Sequence, residues 1–165
     1  MAKKSKQHAH GATPATTALV EAGITFTLHP YEHHADTTSF GDEAAQALGV
    51  DPTRIFKTLV ADVGGKLVVA VIPVARQLDL KALAGACEAK KATLADPSHA
   101  ARSTGYVVGG ISPVGQRSPL ATMVDASADD FETIFVSAGR RGLQVELSPA
   151  DLRRITQARS VPVAH

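Results

Sequence analysis

Apolar and polar positions alternate through residues 24–29, Ile-Thr-Phe-Thr-Leu-His, which predicts a half-buried strand. Ahead of it, Thr13-Pro14 joins an N-cap residue to a proline suited to the first helical position. That helix carries Ala18, Leu19 and Ala22 inward and stops at Gly23. A polar connection over 30–39 leads to a second helix from about Asp42 to Leu48, with its early acids favourably placed at the helix N-terminus and Gly49 at its end. The clearest element is a hairpin, because 54–63 and 66–74 are β-rich runs joined by Gly64-Gly65. Asp79 caps a helix of about 80–89, a short strand lies near 91–94, and Asp96-Pro97 opens another helix. Strands follow at about 121–125, 132–137 and 143–147, and Ser148-Pro149-Ala150-Asp151 starts a last helix reaching about Ala158. Short helices mixed with hairpins predict an α+β fold: one compact domain with a mixed, mostly antiparallel, barrel-like sheet surrounded by helices. The domain is expected over 13–160, with a flexible basic tail over 1–12 and a short tail over 161–165.

Composition narrows the function classes. Hydrophobic residues make up 44% and charged residues 20% of 165, ordinary values for a globular chain. The single cysteine, Cys87, excludes an intramolecular disulfide and a cysteine-based zinc site, and fits a reducing cytoplasm. No apolar run reaches the length of a membrane span, so no membrane association is expected. The net charge of +1 is unevenly spread. From Ser137 onward Arg140, Arg141, Arg153, Arg154 and Arg159 face only Glu146 and Asp151, five against two and so a local +3. Such a patch suits phosphates but is too small for tight, independent nucleic-acid binding.

Candidate chemistry concentrates in two places. Ser103-Thr104-Gly105-Tyr106-Val107-Val108-Gly109-Gly110-Ile111-Ser112-Pro113-Val114-Gly115 runs a strand-like Tyr-Val-Val into a stiff, side-chain-poor loop. It reads either as a tight turn or as a backbone cradle for a polar ligand. Lys57 lies inside a strand whose alternation puts it with Ile55 and Leu59 on one face, while Phe56, Thr58 and Val60 take the other. It is either a pocket lysine, able to hold an anionic or carbonyl-bearing substrate, or an edge-strand lysine that blunts aggregation. Tyr31, at a strand end, is expected to line a pocket. His29, His33 and His34 read as a solvated polar loop rather than metal ligands, since Pro30 disfavours the helix their spacing would need. The turn at 137–142 presents Ser137 and arginines either as a hairpin or to a phosphate or ester oxygen. Cys87 reads as a small core residue. No Ser-His-Asp ordering, Walker loop or dinucleotide fingerprint occurs, so no protein nucleophile is evident, and neither metal nor cofactor is expected.

Several segments together carry a family resemblance. They are His29-Pro30-Tyr31-Glu32-His33, Phe40-Gly41-Asp42-Glu43, Phe56-Lys57-Thr58-Leu59, Pro73-Val74-Ala75 with Gln77-Leu78-Asp79-Leu80, Ala95-Asp96-Pro97, Arg102 through Gln116, Val136-Ser137 and Arg141-Gly142-Leu143. In this order the chain resembles the YbaK family of bacterial aminoacyl-tRNA deacylases, in its cysteinyl-tRNA-Pro branch. The resemblance implies the fold of the prolyl-tRNA synthetase editing domain. It also implies an activity, the clearing of cysteine mischarged on tRNA-Pro, and by extension on tRNA-Cys, in partnership with prolyl-tRNA synthetase. It puts the essential lysine at Lys57 and pocket positions at Tyr31, Thr58, Ser137 and Gln144, with Gly109, Gly110, Ile111, Ser112 and Pro113 as the Gly-x-x-x-Pro loop. The implied chemistry has the substrate thiol attack its own ester and leave as a thiolactone. Gln144 stands where the family often carries Asp, so a carboxylate that would grip the substrate's α-amine is missing, and Ala138 replaces a common glycine. An editing domain for another substrate, such as alanyl-tRNA-Pro, or a non-catalytic tRNA- or synthetase-binding module are the competing readings.

Overall fold

The hairpin at the centre of the sequence is also the centre of the fold. In a computed structural model, which describes residues 12–165, its strands are β2 (Phe56–Val63) and β3 (Lys66–Pro73), paired antiparallel along their whole length. Gly64 and Gly65 both have positive φ at the turn, as a tight hairpin requires. The apolar run of β3 has no polar face because both faces are covered. Val69 and Val71 enter the main core, while Val68, Ala70 and Ile72 enter a second cluster on the opposite side.

The remaining elements are α1 (Pro14–Glu21), β1 (Thr27–Pro30), α2 (Phe40–Leu48), α3 (Leu80–Ala86), β4 (Ala92–Leu94), α4 (Pro97–Thr104), β5 (Ala121–Asp125), a 3₁₀ turn (Ala126–Asp130), β6 (Ile134–Arg140), β7 (Leu143–Leu147), α5 (Pro149–Thr156) and β8 (Arg159–Val161). The caps read from sequence are made: the Thr13, Asp79 and Ser148 side chains accept from the N–H groups of Thr16, Ala82 and Asp151. No helix among the described residues is long and apolar enough to cross a membrane.

The fold is mixed α+β, but the expected barrel does not close. A five-stranded sheet of order β4-β2-β3-β5-β8 and a three-stranded sheet of order β1-β7-β6 share one core, but among the described residues their strands pair only at a bridge between Ile55 and Phe135. Along the same edge of β2, β4 pairs only with Ala61–Val63. Between these two contacts the edge of β2 has no strand neighbour, and the sheets diverge. That gap is where the candidate site lies.

Two other expectations change. Tyr106-Val107-Val108 is not a strand, because α4 runs to Thr104 and Gly105 ends it in the left-handed conformation, so these residues begin an irregular loop. Residues 161–165 are not a loose tail. Val163 is fully buried, the Asp125 carboxylate accepts from the N–H groups of Val163 and Ala164 at 2.9 and 3.1 Å, and Gln77 and His165 exchange backbone hydrogen bonds. The tail read over residues 1–12 lies, except for Ala12, outside the described residues.

Candidate active site

Strand geometry sets the floor of the gap. The carbonyl of Ile55 accepts from Val74 on the β3 side, whereas that of Val60 accepts from Ala95 on the opposite side. Peptide groups alternate along a strand, so Thr58 turns its N–H and C=O toward the unpaired side. The resulting cavity, about 530 Å³, is walled by Ile55 to Val60 and by Leu94, Ala95, Pro97 and Ala100. Phe40, Gly41 and Asp42 of α2, Val108, Gly109 and Ile111 of the glycine-rich loop, and Ser137 and Gln144 of β6 and β7 complete it.

Lys57 is therefore a pocket lysine: the stretch of β2 that carries it has one unpaired edge, and that edge is covered by the cavity. Its ammonium has no hydrogen bond or ion pair among the described residues. Burial pushes its pKa below the usual lysine value, and the nearby Asp42 carboxylate offsets part of that fall. Ser137 and Gln144 are register partners on the sheet face that looks into the cavity. Two side-chain atoms there, Thr58 Oγ1 and Gln144 Oε1, are buried and have no hydrogen-bond partner, although Gln144 is only 8% exposed. Buried polar atoms are nearly always paired, so two orphans in one cavity mark where a ligand supplies the missing groups. Thr58→Val, which keeps the shape and removes the orphan hydroxyl, is expected to raise stability by about 1 kcal/mol in urea unfolding. A loss of stability would mean that the hydroxyl is already satisfied.

The glycine-rich loop is held from behind. Tyr106 donates its hydroxyl to the Val114 carbonyl at 2.7 Å and so ties the loop's two ends together, and burial pushes its pKa up to about 12. Ser112 and Pro113 are buried away from the wall: the Ser112 hydroxyl accepts from Val114 N–H, and its carbonyl accepts from the Gln116 side chain. Gly110 is also behind the wall, with its N–H donated to the Val107 carbonyl and thus unavailable to a ligand. A Cβ at Gly110 would lie 2.9 Å from Arg140 Cα and Arg141 N. Gly110→Ala is accordingly expected to cost about 1–3 kcal/mol in denaturant unfolding, since backbone must move to admit it. An unchanged midpoint would contradict this packing. At Gly109 the φ of +86° and the Phe40 ring, 2.7 Å from where a Cβ would stand, both require glycine.

Phe40 and Arg141, which no local pattern in the sequence pairs, complete the mouth. Arg141 donates from Nε and Nη2 to the Val108 carbonyl at 2.9 and 2.6 Å, and its guanidinium lies 4.8 Å from the centre of the Phe40 ring. Phe40, Gly109 and Arg141 thus clamp one another across the opening. Tyr31 stands behind the wall, packed with Ala44, Ala45, Ile55 and Phe135, and its N–H donates to the Gly142 carbonyl. His34 is exposed as the solvated-loop reading expects, whereas His29 and His33 are paired. His29 Nε2 lies 2.8 Å from Glu146 Oε1, and His33 Nδ1 lies 2.7 Å from Glu43 Oε1. The hydrogen bonds of His33 and of the His34 N–H hold the Glu43 carboxyl down to about 2. Burial opposes ionisation of Glu146, but hydrogen bonds from Thr133 and His29 and the Arg54 charge outweigh it and keep its pKa low. Cys87 caps the end of α3 beside the second core cluster, away from the cavity.

A model of the aminoacyl-tRNA editing domain matches residues 34–155, most of the chain, including the β2 floor, the glycine-rich loop and β6–β7. The chain belongs to the aminoacyl-tRNA editing domain family. A candidate Cys-tRNA(Pro)/Cys-tRNA(Cys) deacylase of Enterococcus faecalis, EbsC, is 37% identical over 158 residues, covering 94% of this chain and 93% of its own. Among solved structures, hypothetical protein APE2540 is 27% identical with a TM-score of 0.83, covering 93% of this chain and all of its own. A candidate trans-editing enzyme for prolyl-tRNA synthetase superposes with a TM-score of 0.82 at 22% identity, over 92% of this chain and 95% of its own, a likeness of fold. Gln144 is a neutral, buried amide facing the same cavity as Lys57.

Proposed function

We propose that the protein is a trans-editing deacylase that removes cysteine from tRNA-Pro, and from tRNA-Cys, acting in the cytoplasm alongside prolyl-tRNA synthetase. The observation that carries this reading is the cavity's combination of one unpaired ammonium, Lys57, with two unpaired polar atoms and no activated nucleophile. Among the described residues, no hydroxyl in its wall is hydrogen-bonded to a histidine, and the only cysteine lies elsewhere. The E. faecalis relative, named for Cys-tRNA(Pro) and Cys-tRNA(Cys), supports the substrate.

The nucleophile then comes from the substrate. The cysteine Sγ attacks its own ester carbonyl carbon, an S–C bond forms, and the bond from that carbon to the ribose oxygen breaks. The thiol proton ends on the departing ribose hydroxyl, and the amino acid leaves as a β-thiolactone that water opens to cysteine. The wall folds the aminoacyl group so that the sulfur reaches its carbonyl, which is catalysis by proximity. Lys57 stabilises negative charge on the carbonyl oxygen of the ester as the tetrahedral centre forms. Gln144 Oε1 accepts from the substrate's α-amino group, and the hydroxyl and peptide group of Thr58 hold the acyl group against the floor. Ser137, Gly109 and Ile111 shape the wall beside it. Tyr31, Gly110, Ser112 and Pro113 act as positioning residues for β1 and the loop.

The test is a deacylation panel of cysteinyl-, alanyl- and seryl-tRNA-Pro, with and without prolyl-tRNA synthetase. Cysteine is expected to be released fastest, and the synthetase to raise the rate at limiting tRNA. Faster release of alanine would replace this reading with an alanyl-tRNA-Pro editing domain. Release of none of the three would leave a binding module.

A further inference from the structure

Beside the mouth of the cavity, Arg102 and Arg117 carry charge that the chemistry above does not use. At its crest Val107 and Val108 are 59% and 41% exposed, and Val108 also forms part of the cavity wall. Four arginines lie in the segments that flank this crest or pack against its loop: Arg102, Arg117, Arg140 and Arg141. The contacts that gather them are specific. The Arg117 side chain lies 3.4 Å from where a Cβ on Gly105 would stand, and its Nη1 is 3.5 Å from the Arg102 carbonyl. The backbone of Arg140 and Arg141 abuts Gly110, and the Arg141 guanidinium holds the Val108 carbonyl. The one acid in the segments 96–117 and 137–142 is Asp96, which feels the charge of Arg102 and accepts from the Ser98 hydroxyl at 2.7 Å.

Arg141 is therefore committed to the loop, whereas the guanidinium groups of Arg102 and Arg117 make no hydrogen bond to a carboxylate among the described residues. Like charges gathered round an apolar crest repel one another until an anion joins them. Guanidinium groups suit phosphate, and exposed apolar and aromatic surface beside them suits the faces of bases. The crest is continuous with the cavity through Val108, so a strand whose esterified 3′ end enters the cavity must cross this rim.

We propose that Arg102 and Arg117 bind backbone phosphates of the single-stranded 3′ end of the RNA substrate, and that they set its capture rather than the ester cleavage. This rests on the reading that the cavity takes an aminoacyl ester of RNA. The substrate class follows from the charge: a phosphodiester strand that ends in the acyl group is favoured over the same ester on a lone nucleoside.

The experiment compares wild type with Arg102→Gln/Arg117→Gln on two esters, cysteinyl-tRNA and 3′-cysteinyl adenosine. For the tRNA at physiological salt the variant's KM is expected to rise about tenfold with kcat within about twofold. Its plot of log(kcat/KM) against log salt is expected to flatten by about 1.4, about 0.7 for each single-strand phosphate that is no longer neutralised. On the adenosine ester the two proteins are expected to behave alike, and Arg102→Lys/Arg117→Lys is expected to restore the salt slope. Wild-type KM and slope in the glutamine variant, or an equal loss on the adenosine ester, would overturn the proposal. Binding of uncharged tRNA, read by the same salt titration, separates this idea from the deacylase reading. If neither protein cleaves either ester but the slopes still differ, the rim assignment stands and the deacylase reading falls. If the binding slopes coincide while cleavage proceeds, the rim assignment falls alone.

Discussion

Lys57→Ala is expected to lower the single-turnover rate on cysteinyl-tRNA-Pro by about 10²–10³-fold, the usual cost of removing one preorganised charge from a developing oxyanion. Lys57 brings the positive charge in the cavity wall, where the Asp42 carboxylate is near enough to feel it but forms no ion pair with it. Stability is expected to change little, because the ammonium makes no hydrogen bond among the described residues and its burial is a cost to the folded state. Lys57→Met keeps the apolar stem and removes only the charge, so it separates lost chemistry from lost packing. The sign of the pH dependence follows from the same burial. A lysine with a lowered pKa loses its proton earlier as pH rises, so the alkaline limb of kcat/KM is expected below the ordinary lysine range. Wild-type turnover in both variants would remove Lys57 from the mechanism.

Exchanging the substrate's thiol for a hydroxyl is expected to have an effect of similar or greater size. Seryl-tRNA-Pro differs from cysteinyl-tRNA-Pro by one atom, a smaller oxygen in place of sulfur, so a cavity that admits the cysteinyl group admits the seryl group. A thiol is a few per cent thiolate near neutral pH, whereas an alcohol is not ionised and depends on a general base. Among the described residues, no histidine lines this cavity to serve as that base. Proximity alone multiplies an intrinsic reactivity, so it cannot rescue a nucleophile that is not activated. Single-turnover rates on the two substrates are expected to differ by at least about 10²-fold. Equal rates would mean that a protein-bound water or side chain attacks the ester instead.

What the sequence made legible was local. Thr13, Asp79 and Ser148 each cap a helix through an atom a few residues away, and Gly64-Gly65 turns the hairpin within its own length, so these elements follow from short segments. The strand-like Tyr106-Val107-Val108 misleads for the complementary reason. Its apolar content serves a distant contact, Tyr106 on Val114, and an exposed crest, rather than a ladder. Closure of the barrel depends on how far β4 extends along β2, and three residues of strand do not reveal that. The C-terminal segment looks like a tail until Asp125, 38 residues earlier, is seen to accept its Val163 N–H.

The candidate site divides along the same line. Lys57, Thr58, Gly109, Ile111, Ser137 and Gln144 line one cavity. The clamp of Phe40 and Arg141, a pair 101 positions apart in sequence, has no local signal, although Phe40-Gly41-Asp42-Glu43 was among the matching segments. Gly110, Ser112 and Pro113 share the loop but not the wall, because one side of an irregular loop must turn inward to satisfy its own backbone.

Whether this cavity cleaves a cysteinyl ester without a protein nucleophile is tested most directly by the fate of purified cysteinyl-tRNA-Pro mixed with excess protein. Uncharged tRNA is expected to be released in a first-order process at least about 10²-fold faster than in buffer, with the amino acid emerging as thiolactone before it appears as cysteine. Decay at the buffer rate, or release as free cysteine or as an adduct on the protein with no thiolactone, would show that the substrate thiol is not the nucleophile in this cavity.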